Sequence, residues 1–216
     1  MSVTLADGSV LSIAATYATS KNMTAVSNAN PAVATLEASH GVAVNDIIEI
    51  TSGWGGLDGR VVRVSAVATN DVTLEGVDTS DTAIYPAGAG TGTVREISTW
   101  SQVTQVMEID SEGGDQEYFE YQFMDQLFKR RIPTVTSPVT INLQAANDVS
   151  LAWVTTVRAA QAAQTPKAAR LTFRNSAKIY LNSYWSIGQM PQLRLNEALR
   201  RAVSLAVVAQ PAEYST

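Results

Sequence analysis

His40 is the only histidine in the chain, and one imidazole cannot build a multi-histidine metal site. It precedes Gly41 near the start of a predicted strand and reads as a surface or turn residue. There is no cysteine, which removes disulfides, thiolate catalysis and Cys-based metal sites. The densest acidic group is Glu108, Asp110, Glu112, Asp115, Glu117 and Glu120. A glycosidase needs two carboxylates opposed across a sugar, whereas these flank a glycine-containing turn. The alternating aspartates of a calcium loop are absent as well. Gly88-Ala89-Gly90-Thr91-Gly92 lacks the Lys-Ser/Thr ending and strand-to-helix setting of a phosphate loop, and reads as a flexible linker. No Gly-x-Ser-x-Gly elbow occurs. Trp54, Trp100, Trp153 and Trp185 could stack on sugars. Trp153 and Trp185 fall on apolar faces and read as core; Trp54, in a glycine-rich turn, is the candidate exposed surface contact. Lys129-Arg130-Arg131 is a short basic run, too small to grip DNA alone. Its alternatives are a solvated loop and a complement to the acidic surface of an adjacent subunit. No nucleophile–base pair, metal cluster or nucleotide motif appears, so the expectation is a non-enzyme without cofactor.

The elements that carry these residues are mostly strands. Between residues 25 and 97, Gly, Val, Thr and Asp dominate, and short alternating runs recur. Asp46–Thr51, Arg60–Val67 and Val72–Glu75 read as strands, separated by turns at Gly53–Gly59 and Asn70-Asp71. Strands this short and closely spaced predict a small β-barrel or sandwich. Beyond Trp100, Val103–Asp110 and Glu117–Phe123 alternate, and a hairpin of 100–109 with 117–123 is expected. Asp125–Pro138 is polar, basic at its centre and interrupted by Pro133 and Pro138; it reads as a long exposed loop or an extended hairpin arm. One helix is predicted from Asn147-Asp148, with Val149, Trp153, Val154, Val157 and Ala160 on one face, ending at Thr165-Pro166. Strands follow at 139–143, 170–174, 177–187 and 199–208. The fold class is mainly β: an antiparallel β-sandwich core with one flanking α-helix, plus an inserted small β-barrel-like domain. The expected divisions are an N-terminal arm or first core strand at 1–24, the inserted domain at 25–97, and the core at 98–216 with its loop 125–138. The arm, to about Asn30, reads as too polar or irregular for a compact core, and it and the loop are expected to order against neighbouring subunits.

Composition agrees with a structural role. Hydrophobic residues make up 45% of the 216, enough for a core, while charged residues are only 16%. A weakly charged surface suits a protein that covers itself with neighbours. The net charge of −5 argues against gripping nucleic acid through phosphates. The N-terminal residues lack a basic region followed by an apolar run, and no apolar stretch is long enough to span a membrane. The expectation is a soluble protein made in the cytoplasm, without membrane insertion.

The segments Ser39-His40-Gly41, Asp46 to Trp54, Leu57 to Val61 and Leu74 to Thr79 resemble the small β insertion of tail tube proteins from long-tailed (siphovirus-type) bacteriophages. Trp100–Val103, Ser111–Gln116, Asp148–Trp153 and Asn196-Glu197 are similar to the core of the same family. That resemblance implies a virion structural subunit that self-assembles, in host cytoplasm, into stacked hexameric rings. It also implies a hollow tube with joined inner sheets, tape-measure, terminator and tail-tip proteins as partners, and genomic DNA passing through the lumen. Carboxylates facing that lumen would repel phosphates, and Glu108, Asp110 and Glu120 are the candidates. Lys129, Arg130 and Arg131 are the candidate inter-ring contacts. The inserted domain would decorate the tube's outside. The alternatives are another tail ring component, such as a terminator, baseplate or contractile-tube subunit, and a carbohydrate-binding β module that uses exposed aromatics.

Overall fold

A computed structural model of the chain describes residues 7–193, 195 and 198–215. Asn196-Glu197, and residues 1–6 of the expected arm, lie outside the described residues. The protein is mainly β with one helix and a closed six-strand barrel. Its first strand, β1 (Val10–Tyr17), belongs to the larger sheet, and the barrel is built next. Its strands are β2 (Lys21–Val26), β3 (Val33–Leu36), β4 (Ile47–Ser52), β5 (Val61–Ala68), β6 (Asp71–Leu74) and the long β7 (Gly92–Gln102). They pair in the order β2-β3-β6-β5-β4-β7, and β7 returns to β2. Closure removes free edges. Alternation sends Met23, Ile48, Ile50, Val62, Val64, Val72, Leu74 and Val94 into one core with Trp54 and Leu57.

The remaining strands are β8 (Val106–Glu112), β9 (Gln116–Tyr121), β10 (Arg130–Thr136), β11 (Thr140–Ala146), β12 (Lys167–Thr172), β13 (Lys178–Ile187), β14 (Arg200–Val207) and β15 (Ala212–Tyr214), with α1 at Ala152–Ala163. The larger sheet runs β7-β1-β12-β13-β14-β11-β8, all antiparallel. Flat, this order would hold β7 and β8 about 29 Å apart, six spacings of roughly 4.8 Å. Only Val103–Gln105 joins them, a link that spans at most about 15 Å. The sheet must therefore curl until its two ends approach. Leu11 and Ile13 of β1 share one core with Leu143 of β11 and Val203 and Leu205 of β14, and α1 adds Trp153, Val154 and Val157.

The segment expected to be a loose arm is instead structural. β1 lies between β7 and β12, with Leu11, Ile13 and Ala14 buried, and β2 closes the barrel. The apolar run is short, and both of its faces find cover: Leu11 and Ile13 in the sandwich core, Ala14 against the barrel side. The expected hairpin of 100–109 with 117–123 does not form. β7 ends at Gln102, Gln105 sits at φ 62° just before β8, β8 pairs with β11, and β9 pairs with β10. Asp125–Pro138 is accordingly the return of a hairpin arm, with β10 inside it. Gly113 and Gly114, both at φ 85°, form the root of that arm. A side chain at Gly113 would meet the Pro138 carbonyl at 2.0 Å, so only glycine lets the two chains cross there.

The helix starts later than the sequence predicts. Leu151 is its N-cap, without a side-chain hydrogen bond, and Asp148 instead accepts from the Ser150 N–H at 2.9 Å in a preceding turn. Val149 is thereby left exposed, while Trp153, Val154, Val157 and Ala160 are buried. Gln164 ends the helix in a left-handed conformation before Pro166.

Barrel and sheet are locked together by polar as well as apolar contacts. Ala14, Val61, Ile97, Ala168, Tyr180 and Tyr214 form the apolar junction. Beside it, the nearly buried Glu49 accepts from Arg95 at 2.9 Å and from the Asn182 amide at 3.2 Å. The Arg95 guanidinium also lies over the Tyr17 ring, 4.0 Å from its centroid. Burial and then the Glu49 charge push the Tyr17 hydroxyl well above its ordinary value, so it stays a neutral phenol; it accepts from the Ala168 N–H at 3.0 Å. Burial lowers Lys167 across the same ring. The Tyr214 hydroxyl makes a second tie, accepting from the Arg63 N–H and donating to the Glu75 carbonyl.

Candidate functional site

Residues opposed across antiparallel strands project from the same face. Glu112, Asp110 and Glu108 of β8 oppose Thr140, Asn142 and Gln144 of β11. Those three oppose Ala206, Ser204 and Ala202 of β14, and Ala206 and Ser204 oppose Tyr184 and Ser186 of β13. One face therefore carries carboxylates along its edge, then amides and hydroxyls, then small residues. Every one of these positions is exposed or half-buried. The reverse face of the same strands supplies Leu143, Ala145, Val203, Leu205, Trp185 and Ile187 to the core. Among the described residues of β8, β11 and β14 paired on this face, Arg200, opposite Ala146 at one end, is the only cation. Successive carboxylates on β8 stand about 7 Å apart along the strand. What the arrangement can exert is a negative field on whatever passes across it.

The structure does not bring the three candidate carboxylates together. Glu108 and Asp110 share the face, but Glu120 sits on the β9–β10 arm, which forms its own two-stranded sheet. There its carboxylate accepts from Arg131 at 2.6 Å and pairs with Lys129 at 3.9 Å. The reason for grouping it with the others was an apolar reverse face; neither β8 nor β9 has a buried residue, and what separates Glu120 is that β9 pairs with β10 rather than with β11. Sequence reasoning missed Glu112, Asn142 and Gln144 as partners of Glu108 and Asp110. The signal was the alternation Thr140-Ile141-Asn142-Leu143-Gln144-Ala145, whose polar half is this face.

Lys129, Arg130 and Arg131 lie on the arm, which leaves a row of large apolar side chains in solvent: Tyr118, Phe119, Phe123, Met124, Leu127, Phe128, Ile132 and Val135. No residue of β9 or β10 is buried. At the other end of β8, a groove of about 610 Å³ opens between β1, β12 and β8. Val106, Met107, Ile109, Leu171 and Phe173 line it, with Asp7 and Glu108 among its polar residues.

Trp54 is not a surface contact. It is 2% exposed, its indole N–H donates to the Pro86 carbonyl at 2.8 Å, and its ring meets Tyr85 edge-on at 5.2 Å. The Gly88–Gly92 segment is its cover, not a loose linker: a side chain at Gly90 would strike the indole at 2.9 Å. Glycine is needed here because the backbone lies on the ring. His40 is a turn residue but a buried one. Its Nδ1 accepts from the Val42 N–H at 3.0 Å and its Nε2 faces the Thr69 carbonyl at 2.9 Å, which makes Nε2 the protonated nitrogen. Among the described residues, no cluster of metal-ligating side chains occurs, and no helix is long and apolar enough to cross a membrane.

The model of one protein family, phage tail tube protein, matches residues 52–216. The match begins at the end of β4 and takes in the polar face, the arm and the helix. No curated protein matches the chain.

Proposed function

Since the chain belongs to the phage tail tube protein family, a structural component of the virion tail, we propose that it forms the tube wall as stacked, hexameric rings whose lumen is lined by the polar face of β8, β11 and β14. The observation that carries this reading is the two-sidedness of those strands. In β11 and β14 one side is core, and the other continues the acidic edge of β8 as an amide and hydroxyl surface whose positions are exposed or half-buried. In water such a face needs no partner. Around a channel it repels a phosphate backbone and offers it few cations to adhere to, Arg200 at one end being the one on β8, β11 and β14, so the genome slides. Glu108, Asp110 and Glu112 are the lining carboxylates in this proposal. Lys129, Arg130 and Arg131 serve contacts between rings, where the arm's apolar residues leave water. The tape-measure protein would occupy the same channel before the genome, with terminator and tip proteins closing its ends. Assembly would take place in the host cytoplasm. The barrel packs on the same outer face further round the curled sheet, against Ala168, Tyr180 and Asn182, and in this reading stands on the outside of the wall. The role is architectural rather than catalytic. The carbohydrate-binding alternative relies on exposed aromatics; Trp54, its candidate in the barrel, is buried, and most of the exposed aromatics lie on the arm.

The test is a charge reversal. In phage carrying Asp110→Lys with Glu112→Lys, tubes should assemble at normal diameter while genome delivery falls sharply. Normal infectivity with intact tubes would contradict a luminal position for these carboxylates.

A further inference from the structure

The arm and the groove sit at opposite ends of the same strand. The groove is lined from Gln102 to Ile109, at the start of β8, and the arm is rooted at Gly113-Gly114, beyond its end. β8 is seven residues long, about 20 Å between these ends. No residue of the arm lines the groove, and β9 and β10 pair with each other alone. The two surfaces nevertheless match. The groove has a mixed lining in which Met107 and Ile109 are left 47% and 43% exposed, and Asp7 and Glu108 add acid to it. The arm's tip carries Phe123, Met124, Leu127 and Phe128, followed at once by Lys129, Arg130 and Arg131. Of those cations Lys129 and Arg131 hold Glu120, while Arg130 makes no ion pair among the described residues.

We propose that the groove between β1, β12 and β8 receives the aromatic tip of the β9–β10 arm from a second copy of the chain. The proposal deepens, and rests on, the tube reading. Phe128 and Leu127 enter between Met107, Ile109, Leu171 and Phe173, and Arg130 meets Asp7 at the rim. Because donor and receiver are different surfaces, the contact is heterologous: each copy offers a tip at one end and a groove at the other. Such a contact propagates along one direction without self-limiting, as growth of a tube wall requires. It also removes from water the apolar row that the isolated subunit leaves bare.

The absence of cysteine allows a direct test. Phe128→Cys and Ile109→Cys are prepared as separate chains, both at exposed positions where the fold tolerates change. Each is assembled alone and mixed in equal amounts, then oxidised. The expected result is a covalent dimer in the mixture that neither chain gives by itself. Normal tubes from the mixture without that dimer would overturn the groove assignment and leave the tube reading standing. Failure of the unmodified chain to form rings or tubes under any condition would overturn both. As a second measure, Phe128→Asp should stop tube growth while the subunit's melting temperature is unchanged. Binding of the unmodified chain to phosphatidylserine vesicles, abolished by Phe128→Asp while tubes still grow, would assign the tip to a lipid surface and overturn the proposal.

Discussion

Trp54 and Phe128 are both large aromatics in segments without regular structure, yet one is 2% exposed and the other 76%. The difference lies in what surrounds them. The barrel closes on itself through the β2–β7 pairing, and its connections fold inward, so that Gly90 and Pro86 cap the indole. The arm is a two-stranded ribbon with no third strand and no helix against it. A lone ribbon has no inside, and hairpins of this kind are marginal by themselves. Apolar residues in a closed barrel are used for folding; on an open ribbon they are available only to another surface. Stability and assembly are thus assigned to different parts of one chain.

Substitutions can break or sharpen that division. Trp54→Ala should be the most damaging to folding, about 4 kcal/mol, because it empties the barrel centre; chemical denaturation measures it. Glu49→Ala should cost about 3 kcal/mol by leaving Arg95 and Asn182 without their acceptor at the junction. Gly90→Val forces the chain off the Trp54 ring, at a cost of about 2 kcal/mol. Glu75 is smaller and depends on pH. Its hydrogen bond to Arg63 holds its carboxyl below the ordinary range. Its contribution is therefore present above the unfolded-state pKa and is lost as pH falls through the lower folded value. Since the pair is partly exposed, Glu75→Gln should remove about 1 kcal/mol or less at neutral pH and flatten the acid side of the melting curve. The smallest effect on folding should come from the largest excision. Removing residues 116–136 leaves Asp115 and Ser137, which already hydrogen-bond to each other at 2.9 Å. The melting temperature should stay within a few degrees of the original, while ring or tube formation, read by electron microscopy, disappears. A large loss of stability in that deletion would erase the contrast between the two regions.

Much of this organisation was legible in the residues. Alternation in Arg60–Val67 and Val72–Glu75 predicted barrel strands, and the spacing of Trp153, Val157 and Ala160 predicted the helix face. Other features depend on distant pairing and leave little local trace. For β1, only its neighbours β7 and β12 show that both of its faces are covered. The Trp54 turn looked exposed because glycines usually mark solvent-facing loops, whereas Gly90 is there for close approach to a ring. The carboxylates were recognised as a group, but sequence proximity joined Glu120 to the wrong set. Register across β8 and β11, which no local pattern specifies, replaces it with Glu112.

The most direct test is a helical reconstruction of assembled tubes at side-chain resolution. The account predicts Glu108, Asp110, Glu112, Asn142 and Gln144 on the channel wall, with the barrel outside. A channel lined instead by the barrel, or the β8–β11–β14 face turned outward to solvent, would contradict it.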